Sequence, residues 1–380
     1  MLFTDYVRTD DKPKANREGD FAFLDRSVRP EIQRVREQLD RLFEGYPGSE
    51  KHELIARIRS RNNVNFRSAT FELLIYAFLT RLGYTLRPHP QLANGSTKLP
   101  DFHVIAPDGT EFYLEAVLAS SNDGSNYPAD AMIATALDHL YQSNHNHFYV
   151  EVSTEGSPTT QPSGKKLLAK VLGWLDSLDP DHIASSVEEN GFDSLPTLIW
   201  EHEQLKVMLR PIPIGFEQRG TATTLIGFLD GWAGIVDDWT PIRDQIKFKG
   251  GRYCDLGMPL LVAVNFGSFN LERIDEMQAL FGQEEFVFNS EDLGAEPKLR
   301  RAPNGAWRGH KGPQGRRASG AWIFNDLQSH NIASRRHTIY FNPWAFHPLP
   351  DCLNQMPHAR LYGEEVRWEK GVSLKDVLEL

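Results

Sequence analysis

The chain predicts an α/β fold, a mixed central β-sheet flanked by helices, continued by a large C-terminal elaboration. Three observations carry that expectation. Residues 67–82, "RSATFELLIYAFLTRL", are apolar at helical spacing and stop before Gly83, a residue suited to the left-handed position after a helix. Short strand-like runs follow at 84–90, 101–106 and 111–118, the last two joined by the turn sequence "APDG" at 106–109. A helical stretch at 128–142 then leads into an apolar strand, "HFYVEVS", at 147–153. The order helix, three strands, helix, strand (αβββαβ) belongs to the α/β class.

The other elements extend this frame. Residues 1–28 read as an irregular arm. "PEIQRVREQLDRLF" at 30–43 reads as a helix with Pro30 in its first turn, and a second helix is expected at 50–60. The expected division is therefore an N-terminal helical arm at 1–60, a core at 61–155 and an α/β extension or companion domain at 156–380. Within that last part, "KKLLAKVLGWLDSL" reads as a helix and "PTLIWEH" with "KVMLRPIPI" as a hairpin. "PIRDQIKFKGGRYCDL" is a helix running into the buried strand "MPLLVAVNF". A helix "ERIDEMQALFG", strands "EEFVFN", "GAWIFN" and "HTIYFN", and a loose tail complete the chain.

Composition narrows the function classes. The chain has 380 residues, 40% of them hydrophobic and 24% charged, enough to bury one large core or two smaller ones. A net charge of −10 argues against a nucleic-acid coat protein but leaves room for a local basic patch. Two cysteines cannot build a disulfide framework or a four-thiolate zinc site, which suits a reducing cytoplasm. No apolar run reaches the length of a membrane span, and the polar N-terminus lacks the apolar stretch of a signal peptide, so no membrane partner is expected.

The chemistry-bearing stretch is "LPDFHVIAPDGTEFYLEAV" at 99–117. With Asp108 at the turn centre, Asp101 and Glu115 lie seven residues to either side. In an unbulged antiparallel pair they face each other and point to one side of the sheet. Directly opposed like charges repel, and a divalent cation between them relieves the conflict. Glu72, beside the apolar stripe of the 67–82 helix, offers a third carboxylate. The plain alternative is a half-buried hairpin whose Asp101 ends a strand and whose Glu115 pairs with an arginine.

A helix carrying Glu72, then Pro100–Asp101, then a glutamate on the next strand resembles the PD-(D/E)XK superfamily of restriction-endonuclease-like nucleases. The resemblance covers about 90 residues of the αβββαβ unit and rests on a short motif. The whole chain is also similar to a bacterial group sharing "RSATFELLIYAFLTRLGY", "HP", "LPDF", "YLEAV" and "NPWAFHPL". The superfamily resemblance implies a Mg²⁺- or Mn²⁺-dependent nuclease acting on DNA or RNA, in bacterial defence or DNA processing, with a homodimer as one arrangement. Asp101 and Glu115 would hold the metal with the carbonyl of Ala116, and Glu72 would bind it through water or take a second ion. Tyr141 and Gln142 would contact phosphate.

One departure stands out. The superfamily carries a lysine two residues after the strand glutamate, where this chain has Val117. No lysine lies between Val117 and Lys165, so the helix next in sequence offers none. Arg67, Lys98, Lys247 and Lys249 are the candidate substitute cations. Otherwise the metal acts without one, or the fold is a lapsed nuclease that binds nucleic acid or a protein.

Nucleic-acid contact is expected chiefly from "KLRRAPNGAWRGHKGPQGRR" at 298–317, which holds seven Lys or Arg and no acid. Arg300, Arg301, Arg308, Lys311, Arg316 and Arg317 would meet phosphates on a flexible glycine-rich loop, and Trp307 would stack on a base. The alternative is a solvated, partly disordered loop. "NHNH" at 144–147 reads as a polar turn, with too few ligands for structural zinc. "FNPWAFHPLP" at 341–350 reads as packing. Phosphate-loop and nucleophile-elbow motifs are absent from the sequence.

Overall fold

The computed structural model of the protein describes residues 1–15, 18–92, 97–120, 127–222, 224–230, 238–267, 271–287 and 298–378. Helices α1 (Asp20–Arg26), α2 (Pro30–Glu44), α3 (Lys51–Ile58) and α4 (Asn63–Arg81) come first. Strands β1 (Thr85–Pro88), β2 (Phe102–Ile105) and β3 (Glu111–Ala119) follow, then α5 (Tyr127–Tyr141) and β4 (Phe148–Glu155). Next are α6 (Gly164–Leu175), α7 (Pro180–Asn190), β5 (Leu198–His202), β6 (Leu205–Pro213) and β7 (Ile226–Asp230). The chain continues with α8 (Trp239–Arg252), β8 (Leu260–Phe266), α9 (Arg273–Phe281), β9 (Glu284–Val287), β10 (Lys298–Arg301), β11 (Arg308–Gly309) and β12 (Gly312–Pro313). It ends with β13 (Gly320–Asn325), β14 (His337–Phe341), β15 (His358–Tyr362), β16 (Glu365–Glu369) and α10 (Leu374–Leu378).

Two compact units divide the chain. The first comprises residues 1–11, 19–123 and 236–380; the second comprises 12–18 and 124–235. The first unit is built on an eight-stranded mixed sheet in the order β1-β2-β3-β8-β13-β14-β15-β16. β3, β8 and β13 run parallel at its centre, while β1, β2 and β3 form an antiparallel meander. Every residue of β8 is buried, as expected of a strand covered on both faces. One face carries Phe112, Leu114, Ala116, Leu261 and Ala263, covered by α4 and the helices before it. The other carries Tyr113, Val262, Val264 and Phe266, packed with Ile242, Ile246, Leu280 and Phe281 of α8 and α9.

The expected αβββαβ order is present, but not with the expected members. The sheet receives α4, β1, β2, β3, α8 and β8; α5 and β4 belong to the second unit. There β4 is an inner strand of a separate sheet, β5-β6-β4-β7, with its own core of Phe148, Val150, Val152, Leu167, Val171 and Leu175. The core therefore does not run continuously over 61–155: an insertion separates β3 from its parallel neighbour. The N-terminal helices are no detached arm either, since Leu2, Leu39, Phe43 and Leu54 share one buried cluster with the sheet.

Local differences have local causes. α4 begins at Asn63, a turn before the expected start, because the Asn62 side chain accepts the Val64 amide hydrogen at 2.8 Å. The "APDG" turn forms as expected: Asp108 Oδ1 accepts from the Thr110 amide at 3.0 Å, and Gly109 takes φ +84°. The tail is not loose. β15 pairs with β14, and β16 closes the sheet edge. Residues 298–317 are likewise folded, with β10 paired to β9 and β11 to β12.

Candidate active site

β2 and β3 pair Phe102 with Leu114, and one further step in that register sets Asp101 opposite Glu115. Phe102 and Val104 face the α4 side, so Asp101 and Glu115 share the α8 side. Asp101 lies just outside β2, and its Oδ2 accepts the Ala116 amide hydrogen of β3 at 2.6 Å. Burial raises its pKa well above the ordinary carboxylate value, and the charges of Glu115 and Glu72 raise it further; the Ala116 hydrogen bond and Lys249 pull the other way. Asp101 thus lies opposite Glu115, as the spacing around Asp108 predicts, and both other carboxylates act on it.

Glu115 is 1% exposed and held by three donors. Lys249 Nζ lies 2.6 Å and Arg252 Nη1 3.1 Å from its Oε1, while the Tyr253 hydroxyl donates to Oε2 at 2.5 Å. That hydroxyl also sits 3.0 Å from the Leu99 carbonyl. Burial, and then Glu115, push the Tyr253 pKa upward, so Tyr253 stays a neutral donor. All three donors come from α8 or the residue after it. Lys249 and Arg252 are one helical turn apart, which sets both on the face turned toward β3. The adjacent Cys254 thiol is exposed.

Lys249 thus brings a cation to Glu115 from α8, while Val117 packs against the α8–α9 core. The chain holds no lysine between Val117 and Lys165, and the helix packed on this face after β3 is α8, beyond the insertion. The other candidate cations are placed differently. Arg67 pairs with Asp20 at 2.8 Å, Lys98 is exposed ahead of Asp101, and Lys247 is exposed on α8.

Glu72 is buried on α4 and already partnered. Arg57 of α3 grips both of its oxygens, Nη1 to Oε2 at 2.7 Å and Nη2 to Oε1, and Ser68 Oγ donates at 3.3 Å. Its charge reaches Asp101 without its side chain joining the Glu115 cluster. The expected Glu72 ligand is therefore a carboxylate neutralised by arginine. Tyr141 packs against the core of the second unit, and the Gln142 amide closes the end of α5 on Asp138. Both belong to the second unit, whose sheet is separate from the one that carries Asp101 and Glu115.

The basic segment sorts sharply. Trp307 is fully buried, packed edge-on to Phe281 at 5.3 Å, and cannot stack on a base. Arg301 is buried and paired with Glu284 at 3.0 Å; Arg300 pairs with Glu285, and Arg308 with Glu364 at 2.6 and 2.9 Å. Lys311, Arg316 and Arg317 remain exposed.

Among the described residues, no group of three or more His, Cys, Asp or Glu side chains is placed to hold a metal ion. An ion here would rest on the two carboxylates of Asp101 and Glu115 with the Ala116 carbonyl. All are oxygen donors of the kind that suits Mg²⁺ or Mn²⁺. The register that sets the Asp101 and Glu115 carboxylates opposite each other on one side of the sheet is the geometry that fits a divalent cation, with the Glu115 oxygens at present engaged by Lys249, Arg252 and Tyr253. Among the described residues, no helix is long and apolar enough to cross a membrane. No family model, curated protein or solved structure matches the chain.

The residues missed in the sequence are Arg57 and Tyr253. "KFKGGRY" advertised the basic character of α8, but only the fold brings its end against Glu115. Arg57 pairs across α3 and α4 fifteen residues from Glu72, and no periodicity encodes that contact.

Proposed function

We propose that the chain is a metal-dependent phosphodiester hydrolase acting on nucleic acid, a nuclease of the restriction-endonuclease-like kind. One observation carries the reading: Lys249 Nζ lies 2.6 Å from Glu115 Oε1, supplying from α8 the cation that the strand lacks at Val117. A divalent ion on Asp101 and Glu115 would polarise the phosphate and acidify a bound water. Asp101, short of positive charge, is the residue with most to gain from that ion. Lys249 offers an ammonium for charge developing on the phosphoryl oxygens, a role worth several kcal/mol in a site closed to water. Arg252 and Tyr253 fix the Glu115 rotamer, so the carboxylate is held in place before substrate arrives.

A second reading is favoured by the same cluster. Glu115 is fully engaged by three protein donors, which is how a lapsed site retained for binding would look. Plasmid, single-stranded DNA and RNA incubated with Mg²⁺, Mn²⁺ or EDTA separate the two. The hydrolase reading expects metal-dependent cutting, reduced about 10²- to 10⁴-fold by Lys249→Met. Retarded but intact nucleic acid under every condition, or full activity of Lys249→Met, would overturn it.

A further inference from the structure

α8 carries a second feature that the Glu115 cluster does not use. A cleft of about 390 Å³ opens between α8 and residues 306–317, with Trp307 among its walls and Phe346 lining it. Its charged side chains are Lys247, Arg316 and Arg317, and no acidic side chain lines it. Among the described residues, none of the three has an ion-pair partner within 4 Å, unlike Arg300, Arg301 and Arg308. Arg316 is held in place: its Nε donates to the Trp344 carbonyl at 2.8 Å, and its guanidinium lies 4.4 Å over the Phe346 ring. The acid that Arg317 influences, Asp255, is engaged by His347 at 2.9 Å.

Exposed aromatic surface accompanies these cations. Phe346, which lines the cleft, is 53% exposed under Arg316. Unpaired cations beside an open aromatic ring are what a single nucleic-acid strand recognises. Phosphates meet the charges and an unpaired base stacks on the ring, while duplex bases are already stacked on each other. Lys247 and Lys249, two residues apart, point about 200° from each other around the helix, so Lys247 borders the cleft while Lys249 faces Glu115.

We propose that the cleft beside α8 is a binding track for single-stranded nucleic acid, a reading that stands apart from the hydrolase reading of Glu115. The test is fluorescence anisotropy in EDTA, so that nothing is cut. It uses a labelled single-stranded DNA oligonucleotide, the RNA of the same sequence and the DNA duplex. Single strands should bind tighter than duplex. The triple variant Lys247→Ala, Arg316→Ala, Arg317→Ala should weaken them at least ~10-fold and flatten the salt dependence by about 2 in log–log slope. Phe346→Ala should weaken single strands with the slope unchanged. Thermal melting confirms that these surface variants fold. Duplex binding as tight as single-strand binding, or a triple variant that binds like the parent, overturns the proposal. Binding without cutting in Mg²⁺ would sink the hydrolase reading and leave the track standing.

Discussion

Asp101 and Glu115 face each other across one hairpin but stand in opposite electrostatic positions, and substitutions should separate them. Asp101 has its pKa raised by burial and by neighbouring carboxylates, so ionising it costs the folded state. Its contribution to stability is complete below the ordinary value of 3.8 and is lost as pH rises through the raised folded value. Asp101→Asn should therefore raise the melting temperature, by more at neutral pH than in acid, while abolishing cleavage; equal melting at all pH values would contradict this. Glu115 is the counter-charge of Lys249 and Arg252. Glu115→Ala leaves a nearly buried ammonium unpaired and should cost about 3 kcal/mol in urea unfolding, the low end for a broken buried pair because Arg252 is a third exposed and can turn to water. Of the two positions, Asp101 is the one whose side chain the fold can lose.

At the level of elements, what the sequence disclosed depended on how local the signal was. α4 was legible because Phe71, Leu74, Ile75 and Phe78 repeat at helical spacing, and the β2–β3 hairpin because Asp108 and Gly109 spell its turn. The same symmetry around Asp108 placed Asp101 opposite Glu115. The origin of the cation was not legible, since 134 residues separate Lys249 from Glu115 and an independent sheet lies between them in sequence. The segment 298–317 misleads for a related reason. Composition counts seven cations, but Glu284, Glu285 and Glu364, which neutralise three of them, come from β9 and the hairpin joining β15 to β16. Trp307 should accordingly behave as core. Trp307→Ala should cost about 3–5 kcal/mol in chemical unfolding. In folded protein it should leave nucleic-acid affinity far less affected than Phe346→Ala does; the reverse order of effects would restore the stacking role.

Across the whole molecule, charge and core divide along the same boundary. Residues 124–235 hold fourteen of the 51 acids and six of the 41 Lys and Arg, leaving 37 against 35 elsewhere. The net −10 is thus mostly a property of the insertion, and the polypeptide bearing the α8 cations is close to neutral. The net charge that argues against a nucleic-acid coat protein therefore says little about the surface around α8. The insertion also owns a hydrophobic core of its own, with Leu175 fully buried in it. Leu175→Ala should cost about 2–5 kcal/mol there. In calorimetry it should lower one transition while the transition of the eight-stranded sheet stays in place; a single transition moving as a whole would show that the two units melt together.

The exposed thiol of Cys254 follows directly on Tyr253, whose hydroxyl clasps Glu115. Cys352 is only partly accessible, with the Thr110 hydroxyl 3.7 Å from its sulfur. A maleimide dye would therefore attach first at 254, one residue from the glutamate's clamp. Its emission would then report titration with Mg²⁺ or an oligonucleotide, giving an optical signal for occupancy before any bond is broken.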